Sequence, residues 1–321
     1  MRFDYFMVRL QNNNQAKKHD VYLYGMVTYT TALLLRRNFP QADTYSEIKE
    51  KHLFPGGETG GAATILASLG CKVKMDGNHT GCNNDSAIRK FYNNIGVDVS
   101  RLHYDSNYDG VEETIIIDKE TRTTFGRFAS YFEDYHKKNI KRWNTPVEED
   151  IQGAKAAGID PFFSEDSILA AHYCRDNKVP FVTIDEGYNH EVCKLASIVA
   201  VSSDWIRDFM PDYYSDNGKI ELIKKYMDNT SALVIFTGGA GTTVYGRNGE
   251  IKKINAYKVD TVSTLGAGDT FKAGCIYGLS QGWVDDEIIK FATACAAVAC
   301  TKFPLPYNPP RLEEVANLRA R

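Results

Sequence analysis

The stretch Leu265-Gly266-Ala267-Gly268-Asp269-Thr270-Phe271 opens a helical pattern that runs to about Leu279. Backbone N–H groups at a helix start lack intrahelical partners, and the helix dipole favours negative charge there. Glycines let a phosphate come close to that backbone. A carboxylate at the same place would repel an anion, so it needs a chemical task of its own. Asp269 fits a base that takes a proton from a hydroxyl while the neighbouring amides hold a transferring phosphoryl group. The tetrapeptide also reads as a plain helix cap, with the aspartate bonding its own backbone. The first reading predicts a kinase acting on an alcohol.

Around this stretch, short apolar runs alternate with helical patterns. The alternation predicts an α/β fold with a mostly parallel sheet between helices. Strands are expected at Val21–Met26, Val73–Met75, Ala154–Ile159, Phe181–Ile184, Ile198–Val201 and Leu233–Phe236. Helices are expected at Ala62–Leu69, Ser86–Asn94, Ser167–Arg175, Lys219–Met227, about Gly268–Leu279 and about Asp285–Thr301. Asn248-Gly249 between Val244–Arg247 and Ile251–Ile254 is a two-residue hairpin signal. Two β-rich segments, about 28–54 and 111–128, lack crossover helices and predict a small sheet projecting from the main one. The second should be a hairpin, Glu113–Asp118 and Thr123–Phe128, around Lys119-Glu120-Thr121. The tail Pro304–Pro310 is proline-rich and expected to be extended. No repeat or linker divides the chain, so one domain over 1–321 is expected.

Composition narrows the function. A net charge of −3 over 321 residues gives no broad basic field, so neither nucleic acid nor an anionic membrane is an expected partner. No apolar run reaches the ~20 residues that span a bilayer, and Met1 to Asp20 is polar, without an export signal. The seven cysteines show no Cys-x-x-Cys spacing. Buried free thiols in a cytoplasmic protein are expected rather than zinc or disulfides. The histidines show no ligand spacing, so no metal ligands are assigned.

A second glycine cluster, Pro55-Gly56-Gly57-Glu58-Thr59-Gly60-Gly61-Ala62-Ala63, precedes the first long helix. It allows close approach by a ligand, or simply by a second backbone. Together the two clusters resemble the ribokinase-like (PfkB) carbohydrate kinase family, over about Val21 to Thr301. The first is similar to its N-terminal Gly-Gly signature, with a helix ending at Leu69-Gly70. The second is similar to its C-terminal Asp-Thr-x-Gly-Ala-Gly-Asp-Thr-Phe signature.

The resemblance implies a doubly wound α/β domain with a small β-sheet lid, and an ATP- and Mg²⁺-dependent kinase for a small sugar. Asp269 takes the place of the catalytic base, and Gly266, Ala267 and Gly268 that of the anion hole. Thr237, Gly238, Gly239, Gly241 and Thr264 fall at the nucleotide site. Gly56, Gly57, Glu58, Gly61 and Thr30 fall at the sugar site, and Arg127 on the lid could reach a substrate or be a solvated charge. The alanine-rich run Ala292–Ala299 is either adenine-facing or a packing surface. Asp185, Glu186 and Asp204 are candidates for the water shell of magnesium, or ordinary strand-end carboxylates. A homodimer joined through the lids is also implied.

The departures from the pattern are informative. Ser263-Thr264 stands where the family has Asp-Thr, with Asp260-Thr261 three residues earlier, which puts monovalent-cation activation in question. Glu58 and Gly61 replace two asparagines. Thr30, five residues after Gly25, replaces a sugar-gripping aspartate. Ser202-Ser203-Asp204-Trp205 replaces Asn-x-x-Glu. The acceptor grip is rewritten while the phosphoryl-transfer end is kept. A nucleoside kinase of the same fold, and a non-catalytic sugar- or nucleotide-binding protein, stay open as alternatives. A charged Glu58 would favour neutral acceptors over sugar acids and sugar phosphates by Coulomb repulsion.

Overall fold

The structure is a computed structural model that describes residues 17–118 and 121–320. Met1 to Ala16 and the Lys119-Glu120 turn lie outside the described residues. In chain order the strands are β1 (Val21–Gly25), β2 (Thr28–Leu35), β3 (Ile48–Gly56), β4 (Val73–Gly77), β5 (Thr80–Gly81), β6 (Tyr104–Asp105) and β7 (Glu112–Ile117). They continue with β8 (Arg122–Gly126), β9 (Ala156–Ile159), β10 (Phe181–Ile184), β11 (Ile198–Ser202), β12 (Leu233–Thr237), β13 (Thr242–Arg247) and β14 (Glu250–Asn255).

The main sheet has the order β14-β13-β12-β11-β10-β9-β1-β4. The six strands from β12 to β4 run parallel, and β13 and β14 close one edge antiparallel. Parallel strands need both faces covered, and every residue of β1 is buried. Its side chains alternate between two cores. Val21 and Leu23 face the helices Glu58–Ser68, Ala267–Ser280 and Asp285–Cys300, while Tyr22 and Tyr24 face Ser164–Asp176 and Asp216–Asn229.

From β1 the chain builds β4 on one side and then returns to place β9 on the other. That reversal opens a crevice at the carboxyl ends of β1 and β9, where open α/β sheets bind ligands. Met26 follows β1 and Asp160 follows β9.

A second sheet, in the order β3-β2-β7-β8, projects from the first. It corresponds to the lid expected over 28–54 and 111–128, with β2 parallel to β7 and β7 antiparallel to β8. Ala32, Phe54, Ile115 and Ile117 form its own small core, with Leu265 and Phe303 packed beneath. The lid therefore rests on the Leu265–Asp269 turn.

Several expected boundaries move. The first long helix begins at Glu58, not Ala62. Gly57 turns the chain at φ 82°, and the carbonyl of Met26 accepts from the amides of Thr59 and Gly60, starting the helix inside the glycine cluster. The tail is not extended throughout: Leu305–Tyr307 forms a 3₁₀ turn. Tyr307 there donates to the carbonyl of Leu53 on β3. Helices Ala129–Lys138, Ser203–Phe209 and Leu312–Arg319 were not expected from the pattern. Asn248 and Gly249 adopt φ of 52° and 84°, as the tight hairpin requires. Cys174, Cys193, Cys275 and Cys295 are buried free thiols, whereas Cys82 is exposed. Among the described residues no helix is long and apolar enough to cross a membrane.

Candidate active site

Gly266 adopts a left-handed φ of 76° and caps the helix Ala267–Ser280. A side chain there would strike Leu305 Cδ2 at 2.6 Å. The first backbone bond of the helix runs from Thr270 N–H to Gly266 C=O. The amide of Ala267 turns back to Thr264 C=O at 3.2 Å, so it is already engaged. The amides of Gly268 and Asp269 have no backbone acceptor among the described residues. They are the open pair. Nothing lies within 4 Å of where a Gly268 side chain would stand, so the protein's own packing does not require that glycine.

The Asp269 carboxylate projects into the crevice and makes no side-chain hydrogen bond to a described residue. Burial raises its pKa to about 7, the Lys272 ammonium pulls it down, and Asp160 and Glu113 push it up. Gly61 faces it: a methyl group at that position would stand 2.8 Å from Asp269 Oδ2. Gly61 therefore makes space for the carboxylate.

Two cavities meet at Asp269. The larger, about 460 Å³, is lined on one side by Asp185, Ser202, Asp204 and Thr237, at the ends of β10 to β12. Its other wall carries Glu58, Glu113, Arg122 and Arg127. The smaller, about 60 Å³, lies under the lid between Thr30, Gly56, Gly57, Gly61, Glu113 and Asp269. All six residues placed at the sugar site by sequence thus line one cavity or the other, next to the expected base.

The residues expected at the nucleotide site separate. Thr237 lines the larger cavity, but Gly238, Gly239, Gly241 and Thr264 do not. Gly238–Gly241 is a tight turn closed by Gly241 N–H to Gly238 C=O at 2.9 Å. Thr264 Oγ1 instead accepts from Arg122 of β8 at 2.7 Å, which ties the lid to the turn beneath it. The alanine-rich helix serves packing: a side chain at Gly274 would meet Ala292 Cα at 2.7 Å. Ser263 is buried and its Oγ accepts from Leu265 N–H, while Asp260 is exposed.

Asp185 is spent on Ser202, accepting from its amide at 2.6 Å and its hydroxyl at 3.2 Å. Burial raises the pKa of its carboxyl. Glu186 accepts from Gly187 N–H, and Asp204 pairs with Arg207 at 2.7 Å. Among the described residues no group of three or more acidic, histidine or cysteine side chains could hold a metal ion.

Glu113 was missed by sequence reasoning. Its Oε1 accepts from Thr28 Oγ1 at 2.9 Å and Thr30 Oγ1 at 2.5 Å. A carboxylate from the neighbouring lid strand thus lies beside position 30. The sequence signal was present only as register: Thr30 pairs directly with Glu113 in the parallel β2–β7 ladder. Glu58 also behaves differently from expectation. Burial, then the charges of Asp160 and Asp269, raise its pKa to about 8. The shift towards the protonated form weakens the basis for repelling anionic acceptors.

The family model described as "pfkB family carbohydrate kinase" matches residues 18–305. A 5-dehydro-2-deoxygluconokinase from Clostridium beijerinckii is 23% identical, over 95% of this chain and 94% of its own. The ribokinase of Arabidopsis thaliana, solved with ribose and ATP, superposes with a TM-score of 0.75 at 16% identity, covering 96% of this chain and all of its own. The nucleoside kinase of Methanocaldococcus jannaschii superposes with a TM-score of 0.74 at 16% identity, covering 95% and 99%.

Proposed function

The chain belongs to the pfkB family of carbohydrate kinases, and we propose that it moves the γ-phosphoryl group of ATP to a hydroxyl of a small sugar or sugar-like acceptor, with Asp269 as base. One observation carries this reading. An unbonded carboxylate with a pKa near 7 stands beside two open amides, where two cavities meet. General-base catalysis is most effective when the pKa lies near the working pH.

In this reading the acceptor hydroxyl enters the smaller cavity, between Thr30, Gly61 and Glu113, and faces Asp269. The phosphates lie in the larger cavity against the amides of Gly268 and Asp269. Asp269 takes the hydroxyl proton as the oxygen attacks phosphorus in line. Positioning and charge stabilisation supply most of such catalysis. Magnesium entering with the nucleotide supplies charge neutralisation and prefers phosphate and water ligands. Asp185 and Asp204 line the cavity where they would meet its water shell.

The relatives named 5-dehydro-2-deoxygluconokinase make a keto sugar acid the first acceptor to try. The raised pKa of Glu58 and the nearby Arg122 and Arg127 are compatible with an anion. The lid leaves Ile48, Leu53 and Phe125 exposed, which supports a homodimer joined through this sheet, testable by sedimentation.

The decisive experiment is a phosphorylation screen with ATP and magnesium over sugars, sugar acids and nucleosides. A sugar or sugar acid with the highest kcat/KM supports the proposal. A nucleoside preferred by more than tenfold would reassign the acceptor. ATP binding with no turnover on any class would make the protein a non-catalytic binder.

A further inference from the structure

Lys272 lies one helical turn beyond Asp269 and is used by nothing in the mechanism above. Its side chain is 2% exposed, and it forms an ion pair with Asp160, which is fully buried. Asp160 is saturated. Its Oδ2 accepts from Met26 N–H at 3.1 Å and Thr59 Oγ1 at 2.8 Å, and its Oδ1 accepts from Lys272. The carboxylate fills the space left by Gly25, where any side chain would collide with it.

The ammonium is not saturated. It carries three donors, and among the described residues Asp160 Oδ1 is its hydrogen-bond acceptor. Lys272 also lines the larger cavity, together with Gly268, Asp269 and Asp185. Its charge acts on the carboxyls of Asp269, Asp185 and Glu58, lowering the pKa of each. It therefore stands between the expected nucleotide and acceptor sides. Burying an ion pair is a poor route to stability, since an apolar pair of similar volume often does as well. A cation with open donors facing the cavity has a use that an apolar pair lacks.

We propose that Lys272 is a catalytic residue whose ammonium donates to the oxygens of the transferring phosphoryl group, with Asp160 holding it in place. The acceptor oxygen forms its bond to phosphorus as the bond to the β-phosphate oxygen breaks. ADP departs with that electron pair, and Asp269 receives the hydroxyl proton. Lys272 keeps its protons throughout and stabilises charge on the phosphoryl oxygens.

The inference rests on the kinase reading, and the unaltered protein separates the two. If it phosphorylates no acceptor, the kinase reading fails first. Given an active protein, Lys272→Met strands the Asp160 charge and would damage folding as well as rate. The informative variant is Lys272→Met with Asp160→Asn, which removes both buried charges, compared with the unaltered protein. If Lys272 acts on the phosphoryl group, the double variant still folds and melts cooperatively, calorimetry gives an ATP dissociation constant within tenfold of the unaltered protein's, and kcat is about 10²–10³ lower. A folded double variant within tenfold of the unaltered rate would overturn the proposal, leaving Lys272 as a partner for Asp160 only. A second readout needs no stable variant. In ¹⁵N-lysine-labelled wild-type protein, the buried Nζ resonance should shift with a non-hydrolysable ATP analogue and much less with ADP. Equal response to both ligands would count against the contact.

Discussion

The two ends of the site are built in opposite ways. The phosphoryl end is one continuous turn: Gly266 caps the helix, Gly268 and Asp269 present amides, and Asp269 presents the carboxylate. The acceptor end is assembled from separate elements. Thr28 and Thr30 come from β2, Gly56 from the end of β3, Glu58 and Gly61 from the following helix, and Glu113 from β7. On the proposed reading, the reaction geometry is held by local backbone and the acceptor grip by side chains far apart in sequence. Variants at the two ends should therefore fail in different ways.

The largest effect is expected at the turn. Asp269→Asn keeps the shape and loses the basicity. We expect kcat to fall by about 10²–10⁴, with the ATP dissociation constant unchanged within a few-fold by calorimetry. A variant retaining more than a tenth of the wild-type rate would remove Asp269 as base and erase the contrast between the two ends.

Gly61 joins the ends, so it tests how tightly they are coupled. A methyl group there would press on Asp269 Oδ2 at 2.8 Å. Displacing a reacting group by about 1 Å can lower rate by roughly 10². Gly61→Ala should therefore reduce kcat by about tenfold or more, although no acceptor contact is deleted. An effect on the acceptor KM alone would return Gly61 to the sugar site, where sequence placed it.

The same contrast explains what was legible in the sequence. The parallel sheet was readable because buried strands such as Ile198–Val201 are continuous apolar runs. Asp269 was readable because its partners are its chain neighbours. Glu113 was not, because its relation to Thr30 exists only once β2 and β7 pair in register. The tertiary turn at Gly57 placed Glu58 inside a helix that the pattern began at Ala62. Glu58's charge state was also hidden, since it depends on burial beside Asp160 and Asp269. Ala267 was over-read: its amide is consumed by Thr264, a backbone bond that composition does not signal.

At the acceptor end the expected effects are smaller and selective. Glu113 uses Oε1 on two threonine hydroxyls, and the residue lines both cavities. Glu113→Gln keeps the size and removes the charge-assisted grip on an acceptor hydroxyl, a difference of about 1–2 kcal/mol. The acceptor KM should rise about tenfold, with the ATP KM unchanged. Equal loss for both substrates would mean that Glu113 shapes the lid as a whole.

The smallest effect concerns Glu58 and is read in stability. In the folded chain its carboxyl holds a proton to about pH 8, whereas the ordinary value is 4.5. The folded state thus binds more protons than the unfolded state between these limits, so stability falls as pH rises through that window. The contribution is fully present below about pH 4.5 and lost by about pH 8 to 9. Asp269 adds the same sign of slope between 3.8 and about 7. Glu58→Gln stays neutral and removes only the first contribution. Its Tm should match that of wild type near pH 5 and exceed it by roughly 2–4 °C near pH 8.5, measured without ligands. A difference that stays constant across this range would mean that Glu58 is ionised throughout. Coulomb repulsion of anionic acceptors would then return as the rule for this end of the site.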